Sequence, residues 1–154
     1  MLKNIIKAED CAKCQFCCSF RRVSLHFVPS FDPAKVPELR RKYPNVKFIE
    51  RGYNDFTIDV SDGYPDYDDG TAESLCSFNV NGCILSNEYK PIQCKIWPLQ
   101  VMRHGDKVAV VLTPTCPVTS SMPFERVKEL VQESGALPKI WEYVSGHPEI
   151  TANF

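Results

Sequence analysis

Cys11-Ala12-Lys13-Cys14-Gln15-Phe16-Cys17-Cys18 places four thiols within eight residues. Free cysteine often packs as a small hydrophobe, but a core stripe has no need of four sulfurs at this density. Two cysteines separated by two residues can aim both sulfurs at one ion, because the short backbone between them turns back on itself. The run therefore predicts a metal ion or an iron–sulfur cluster. If Cys11 to Phe20 is helical, with Glu9 and Asp10 suiting its N-terminus, then Cys11, Cys14 and Cys18 share one face and Cys17 turns away. Adjacent Cys17 and Cys18 then suit two sites, or different corners of one cluster, better than a single ion.

Outward from this run, Cys76, Cys83, Cys94 and Cys116 follow singly and complete a set of eight. The opening Met1 to Asp10 has only a very short apolar patch among its charges, and no apolar run is long enough to span a bilayer. These features predict a cytoplasmic protein without a membrane partner. In that reducing compartment eight thiols rarely persist as four disulfides, which favours metal ligation over a covalent framework.

With 154 residues, 44% hydrophobic and 24% charged, the chain reads as one soluble domain spanning 1–154, and 12 prolines favour much irregular backbone. The net charge of -1 hides an uneven distribution. Residues 1–51 carry 11 Lys/Arg against 5 Asp/Glu, whereas Gly52 to Tyr89 carry 8 acids and no Lys or Arg. No aromatic-interleaved basic motif accompanies the basic half, so solvated faces explain it and nucleic-acid binding is not expected.

Val23 to Val28 alternates like a strand, and Asp32-Pro33 could start a short helix toward Lys42, with Pro37 favouring a later start. Val46 to Ile49 and Phe56 to Val60 read as paired strands with a turn near Arg51 to Asn54, Phe56, Ile58 and Val60 having half-buried period. Ser61 to Gly70 is an acidic loop. Its Asp66-Tyr67-Asp68-Asp69-Gly70 lacks the spacing and the terminal Glu of a calcium loop. Leu99 to Arg103 and Lys107 to Leu112 form a hairpin around His104-Gly105-Asp106, with His104 exposed at its tip. Phe124, Val127, Leu130 and Val131 mark an amphipathic helix capped by Ser120 or Ser121 and ended by Gly135, and a second helix runs from Pro138 to Val144. The expected fold is a small α+β domain with a short antiparallel sheet and few helices. It has much irregular structure organised around a cysteine-bound metal centre, with the C-terminal helices over the sheet.

The later cysteines sit in Cys76-Ser-Phe, Asn-Gly-Cys83-Ile-Leu, Tyr-Lys-Pro-Ile-Gln-Cys94-Lys-Ile-Trp-Pro and Cys116-Pro. With the opening run, this order resembles the CxxCxxCC family of zinc- or iron-chelating proteins, over Cys11 to Pro117. Cys11, Cys14, Cys17 and Cys18 are similar to the family's signature cysteines. Cys83 and Cys94 are similar to the two sulfurs of its C-x-I-Y…R-P-x-x-C-R-x-F-P segment. Here Leu85 stands for Ile, Ser86 for Tyr, Lys90 and Lys95 for the two Arg, and Trp97 for the aromatic before Pro98. Lys keeps the charge but not the planar fork of Arg. The resemblance implies metal binding. One branch is similar to flagellin lysine N-methylases, longer proteins that carry this cysteine pattern with an iron–sulfur cluster and use S-adenosylmethionine.

Eight thiolates allow two four-cysteine zinc sites, one four-cysteine iron–sulfur cluster with spare thiols, or a larger shared centre. The unbroken C-x2-C-x2-C triplet, a grip used by ferredoxin-type clusters, favours a cluster of the 4Fe-4S type over zinc. Lys90, Lys95 and Lys13 could balance thiolate charge, so Lys90, Lys95 and Trp97 join the cysteines as candidates around the cofactor. Trp97 and Phe16 also read as core cover. His26, His104 and His147 lie in unrelated segments. The seven glycines are never closer than seven residues, so no phosphate loop or dinucleotide fingerprint exists. A radical-type C-x3-C-x2-C pattern is absent as well. The chain thus reads as an iron–sulfur protein of redox chemistry or partner-protein modification, as a zinc-stabilised binding module, or as a metal-dependent methylase-like enzyme. The candidate partner or substrate is a protein.

Overall fold

The computed structural model of the chain describes residue 2 and residues 5–52, 54–67 and 69–153. In chain order the elements are α1 (Ala8–Cys14), β1 (Ser19–Arg21), α2 (Val36–Lys42), β2 (Phe48–Gly52), β3 (Asp55–Ile58), β4 (Glu73–Leu75), α3 (Ile92–Ile96), β5 (Leu99–His104), β6 (Lys107–Leu112), α4 (Pro117–Ser120), α5 (Phe124–Glu133), α6 (Ala136–Gly146) and β7 (Ala152–Asn153). Tight 3-10 turns occupy Phe16–Cys18, Arg22–Phe27, Ser61–Gly63 and Pro148–Ile150. Helices combine with short, mainly antiparallel sheets, which is an α+β composition. The chain forms two compact units, Gln15–Ile92 and Met1–Cys14 with Gln93–Phe154. Among the described residues, no helix is long and apolar enough to cross a membrane.

In the unit Gln15–Ile92, β1 pairs with β4 and β2 with β3, both antiparallel. Phe20, Val28, Phe31, Val36, Leu39, Phe48, Ile58 and Phe78 form its core. Phe78 is fully buried, with Phe31, Tyr43 and Phe48 at ring-centroid distances of 5.6, 5.2 and 6.1 Å. The expected half-buried period of the second strand is met only in part. Thr57 is buried as well as Ile58, because its hydroxyl donates to the Pro29 carbonyl at 3.0 Å and so loses no hydrogen bond on leaving water.

Two expectations for this unit are corrected. The helix read from Cys11 to Phe20 stops at Cys14, since Gln15 takes a left-handed backbone (φ 54) and Phe16–Cys18 forms a 3-10 turn. Val23 to Val28 is not a strand but part of 3-10 turns. The Arg51 guanidinium holds this segment, donating to the carbonyls of Leu25, His26 and Val28 at 3.4, 3.4 and 2.8 Å and to Ser30 Oγ at 2.9 Å. Asp55 balances its charge at 3.2 Å, both side chains being mostly buried. Arg51→Met is expected to cost about 2 kcal/mol, since several charge-assisted bonds go at once from one part-buried group. A lowered urea midpoint with an unchanged slope would show it.

Helix α2 begins at Val36 with Pro37 in its first turn, where a missing N–H is harmless, while Asp32 caps the preceding turn through Ala34 N–H at 3.0 Å. In and just before the acidic loop, Asp69 accepts from the Thr71 hydroxyl at 2.6 Å and from its N–H at 3.0 Å, and Asp59 accepts from the Ser61 hydroxyl and from its N–H at 2.9 Å. The hydroxyl bonds first, and the N–H bonds second, hold both carboxyls below their usual range. Tyr53 of the expected turn, Asp68 of the acidic loop and Met1, Lys3 and Asn4 of the opening lie outside the described residues.

In the other unit the predicted hairpin is present, β5 pairing β6 from Leu99↔Leu112 to His104↔Lys107. Gly105 (φ 58) lies at the turn, and His104 is exposed. β7 adds to β5 in parallel, an unforeseen pairing that begins at Met102↔Ala152. Val127 and Val131 are the buried face of α5, but Phe124 is 63% exposed. Pro123, not a serine, precedes α5, because Ser120 and Ser121 hydroxyls close α4 onto the Pro117 and Val118 carbonyls. Gly135 (φ 61) makes the bend before α6, which exceeds the expected Pro138 to Val144 at both ends.

Candidate metal centre

The unit boundary divides the cysteines four and four. Cys17, Cys18, Cys76 and Cys83 belong to Gln15–Ile92, and Cys11, Cys14, Cys94 and Cys116 to the other unit. None of the eight is in a disulfide.

Backbone pairing brings together the segments that carry the first quartet. β1 runs antiparallel to β4 with Ser19 opposite Leu75, and one step further Cys76 N–H donates to the Cys18 carbonyl at 2.7 Å. Tyr64 anchors this ladder, its hydroxyl donating to the Phe20 carbonyl at 2.7 Å beneath the Arg22 guanidinium, 4.5 Å from the ring. After Cys76 the chain turns sharply, Asn79 N–H reaching the Cys76 carbonyl at 2.8 Å. Asn81 (φ 56) and Gly82 (φ 113) then reverse it, and Ile84 N–H closes onto the Phe78 carbonyl at 2.9 Å. Asn and Gly are the residues that tolerate this left-handed backbone. The loop returns Cys83 opposite Asn79 as an antiparallel bridge.

Hydrogen-bond donors are directed at the sulfurs. The Cys17 thiol bonds Cys18, and together with Lys90 and the Asn79 side chain it draws Cys18 down from 9.0 to about 7 against the opposing effect of burial. The expectation that Cys17 and Cys18 point apart is therefore corrected, since a 3-10 turn rather than an α-helix carries them. Cys76 is pushed up to about 12, chiefly by burial, with Cys18 and Cys83 adding charge repulsion. The backbone N–H groups of Phe78 and Asn79 bond the Cys76 sulfur and oppose that rise.

The Lys90 charge is near enough to Cys18 to favour its thiolate. Asn79 and the backbone around Phe78 were not foreseen, although the Asn81-Gly82 dipeptide before Cys83 is a turn signal readable in the sequence. Phe16, expected as core cover, is instead 49% exposed beside Cys17.

In the other unit, α1 sets Cys11 and Cys14 one turn apart on a shared face, both exposed. Cys94 and Lys95 are half-buried on α3, and Trp97 is half-buried just after it. Cys116 is buried, its carbonyl accepting from Ser120 N–H at 2.9 Å at the start of α4. Among the described residues, no group of three or more His, Cys, Asp or Glu side chains is arranged so that it could hold a metal ion. His26 and His104 are exposed and His147 half-buried, each in a separate segment.

Compared with protein-family models, with curated proteins and with solved structures, the chain matches none.

Proposed function

We propose that this protein binds an iron–sulfur cluster through cysteine thiolates, with Cys17, Cys18, Cys76 and Cys83 as ligands, and serves redox chemistry or the modification of a partner protein. The supporting observation is the convergence of hydrogen-bond donors on the sulfurs of one unit: the Asn79 side chain on Cys18, and the N–H groups of Phe78 and Asn79 on Cys76. A metal thiolate keeps its negative charge in a partly buried place, and such outer-shell donors and a nearby cation lower that cost. The donor chemistry therefore fits a four-thiolate group. The sulfurs would still have to be drawn together as the group binds, Cys83 on its exposed loop being the easiest to move.

The similarity of the cysteine order to that of flagellin lysine N-methylases, which carry an iron–sulfur cluster, favours iron–sulfur over zinc. Bound here, a cluster would supply one-electron chemistry, while the chain holds it, balances its charge through Lys90 and limits water through the half-buried position of Cys18 and Cys76.

Protein prepared without air is expected to be brown and to contain iron and acid-labile sulfide. Colourless protein with zinc that unfolds on chelation would replace the reading by a zinc-stabilised binding module. Protein that holds neither metal, even after reconstitution with iron and sulfide or with zinc, would overturn both. Lys90→Glu is expected to weaken metal retention against a competing chelator about 10-fold or more, as loss of an outer-shell group typically does. Unchanged retention would remove Lys90 from the site.

A further inference from the structure

We propose that Cys18 and Cys76 form a dithiol that closes into a cross-strand disulfide by exchange with a small-molecule disulfide. The inference goes beyond the metal reading and does not rest on it, because it needs only the backbone register. Ser19 lies opposite Leu75, Phe20 opposite Ser74 and Arg21 opposite Glu73, so the next pair along the ladder is Cys18 with Cys76. The 2.7 Å bond from Cys76 N–H to the Cys18 carbonyl carries the register one step past the strands, while Cys18 N–H turns away to the Gln15 carbonyl at 2.9 Å. Directly opposed residues of an antiparallel pair have Cα atoms about 4.5–5.5 Å apart. A disulfide spans Cα atoms roughly 4.4–6.8 Å apart, so the backbone bond keeps the two cysteines within bridging range.

The neighbouring thiols are poorer partners. Cys17 is next to Cys18 in the chain, and a bond between them would close a small ring through a peptide unit that resists distortion. Cys83 approaches Cys76 only through the loop turned by Asn81 and Gly82, and its side chain is exposed. Cys18 and Cys76 are half-buried, so a small reagent reaches them more readily than a large one.

The exchange balances without any further reactant. One thiolate of the pair attacks a sulfur of the small disulfide, forming a mixed disulfide and expelling one small thiolate. The second thiolate attacks the protein sulfur of that mixed disulfide, forming the Cys18–Cys76 bond and expelling the other small thiolate. Two protein thiols are oxidised, the small disulfide is reduced to two thiols, and the two protons end on the expelled thiolates. Metal and disulfide then compete for the same two sulfurs, so loss of metal would open the pair to oxidation and bridging would block reloading.

The test uses the full chain, reduced, freed of metal by a chelator, and then treated with oxidised glutathione. Remaining thiols are alkylated, and digested peptides are read by mass spectrometry. A Cys18–Cys76 linked peptide that disappears on reduction is expected as the dominant bridge. Cys76→Ser is expected to leave a glutathione adduct on Cys18, and Cys18→Ser one on Cys76, with circular dichroism confirming that each variant is folded. Dominant bridges between other cysteines, glutathione adducts in the unsubstituted protein without a bridge, or no reaction would overturn the proposal. Metal content is read separately. A protein that binds iron or zinc yet forms no bridge after chelation fails only this inference, and one that bridges but never holds metal fails only the metal reading.

Discussion

Cys83→Ser is expected to abolish metal binding by the Gln15–Ile92 unit. A neutral hydroxyl supplies neither the charge nor the softness of a thiolate, and the remaining three sulfurs leave one position of the four-ligand set unfilled. The effect should exceed that of any packing change in the chain. Apparent binding free energies of structural zinc sites are about 10–16 kcal/mol, which is comparable with the whole stability of a domain at about 5–15 kcal/mol. Cys83 is the instructive ligand to remove because it is exposed, so serine creates no cavity and the metal-free fold should be unaffected. The expected result is metal content at background, with melting temperature unchanged when both proteins are compared without metal and clearly lower when both are compared after loading. Metal content equal to that of the unsubstituted protein would take Cys83 out of the ligand set.

Phe78→Ala is expected to destabilise the same unit by about 3–5 kcal/mol, the usual cost of emptying an aromatic site in a packed core. Phe78 is fully buried among the rings of Phe31, Tyr43 and Phe48, so alanine leaves an apolar cavity between them. Against a domain stability of about 5–15 kcal/mol this removes a large fraction. The substitution also reaches the thiols, because Phe78 N–H bonds the Cys76 sulfur and the Phe78 carbonyl closes the Cys83 loop through Ile84. A loosened Phe78 should therefore weaken metal retention as well as lower the urea midpoint. A stability loss under about 1 kcal/mol, as at a surface position, would show that the aromatic cluster does not hold this unit together.

The Asn81-Gly82 turn ties these two results together. Its left-handed backbone lets a short loop fold back, placing Cys83 opposite Asn79, the residue that follows the core ring of Phe78. Core packing and ligand placement share the same few residues here.

Local pattern determined much of what the sequence alone could settle. The hairpin from Leu99 to Leu112 was legible because alternating strands flank a Gly-containing turn, and both its residues and its register arise from neighbours in the chain. The pairing of two strands around a turn near Arg51 to Asn54 was legible too, although the expected Val46 to Ile49 and Phe56 to Val60 shift to Phe48–Gly52 and Asp55–Ile58, and so was the helix containing Val127 and Val131, whose 3.6-residue period matches its buried face. The cysteine order, with its implication of a thiolate site, is likewise a property of the sequence.

Only the tertiary structure decided which cysteines meet. Cys18 and Cys76 are neighbours because β1 pairs with β4 across more than fifty residues, a long-range choice that no local period encodes. The division of the C-x2-C-x2-C-C run followed from the left-handed Gln15, which ends a helix that spacing alone would have continued. Arg51 turned an apparent strand from Val23 to Val28 into bonded turns by supplying donors from a distant hairpin. In the pairing of β1 with β4 and in the bonds from Arg51, the deciding contact joins residues far apart in sequence. Periodicity reports which face of an element is apolar, whereas the partner for that face, and for each sulfur, is chosen by the global packing of the folded unit.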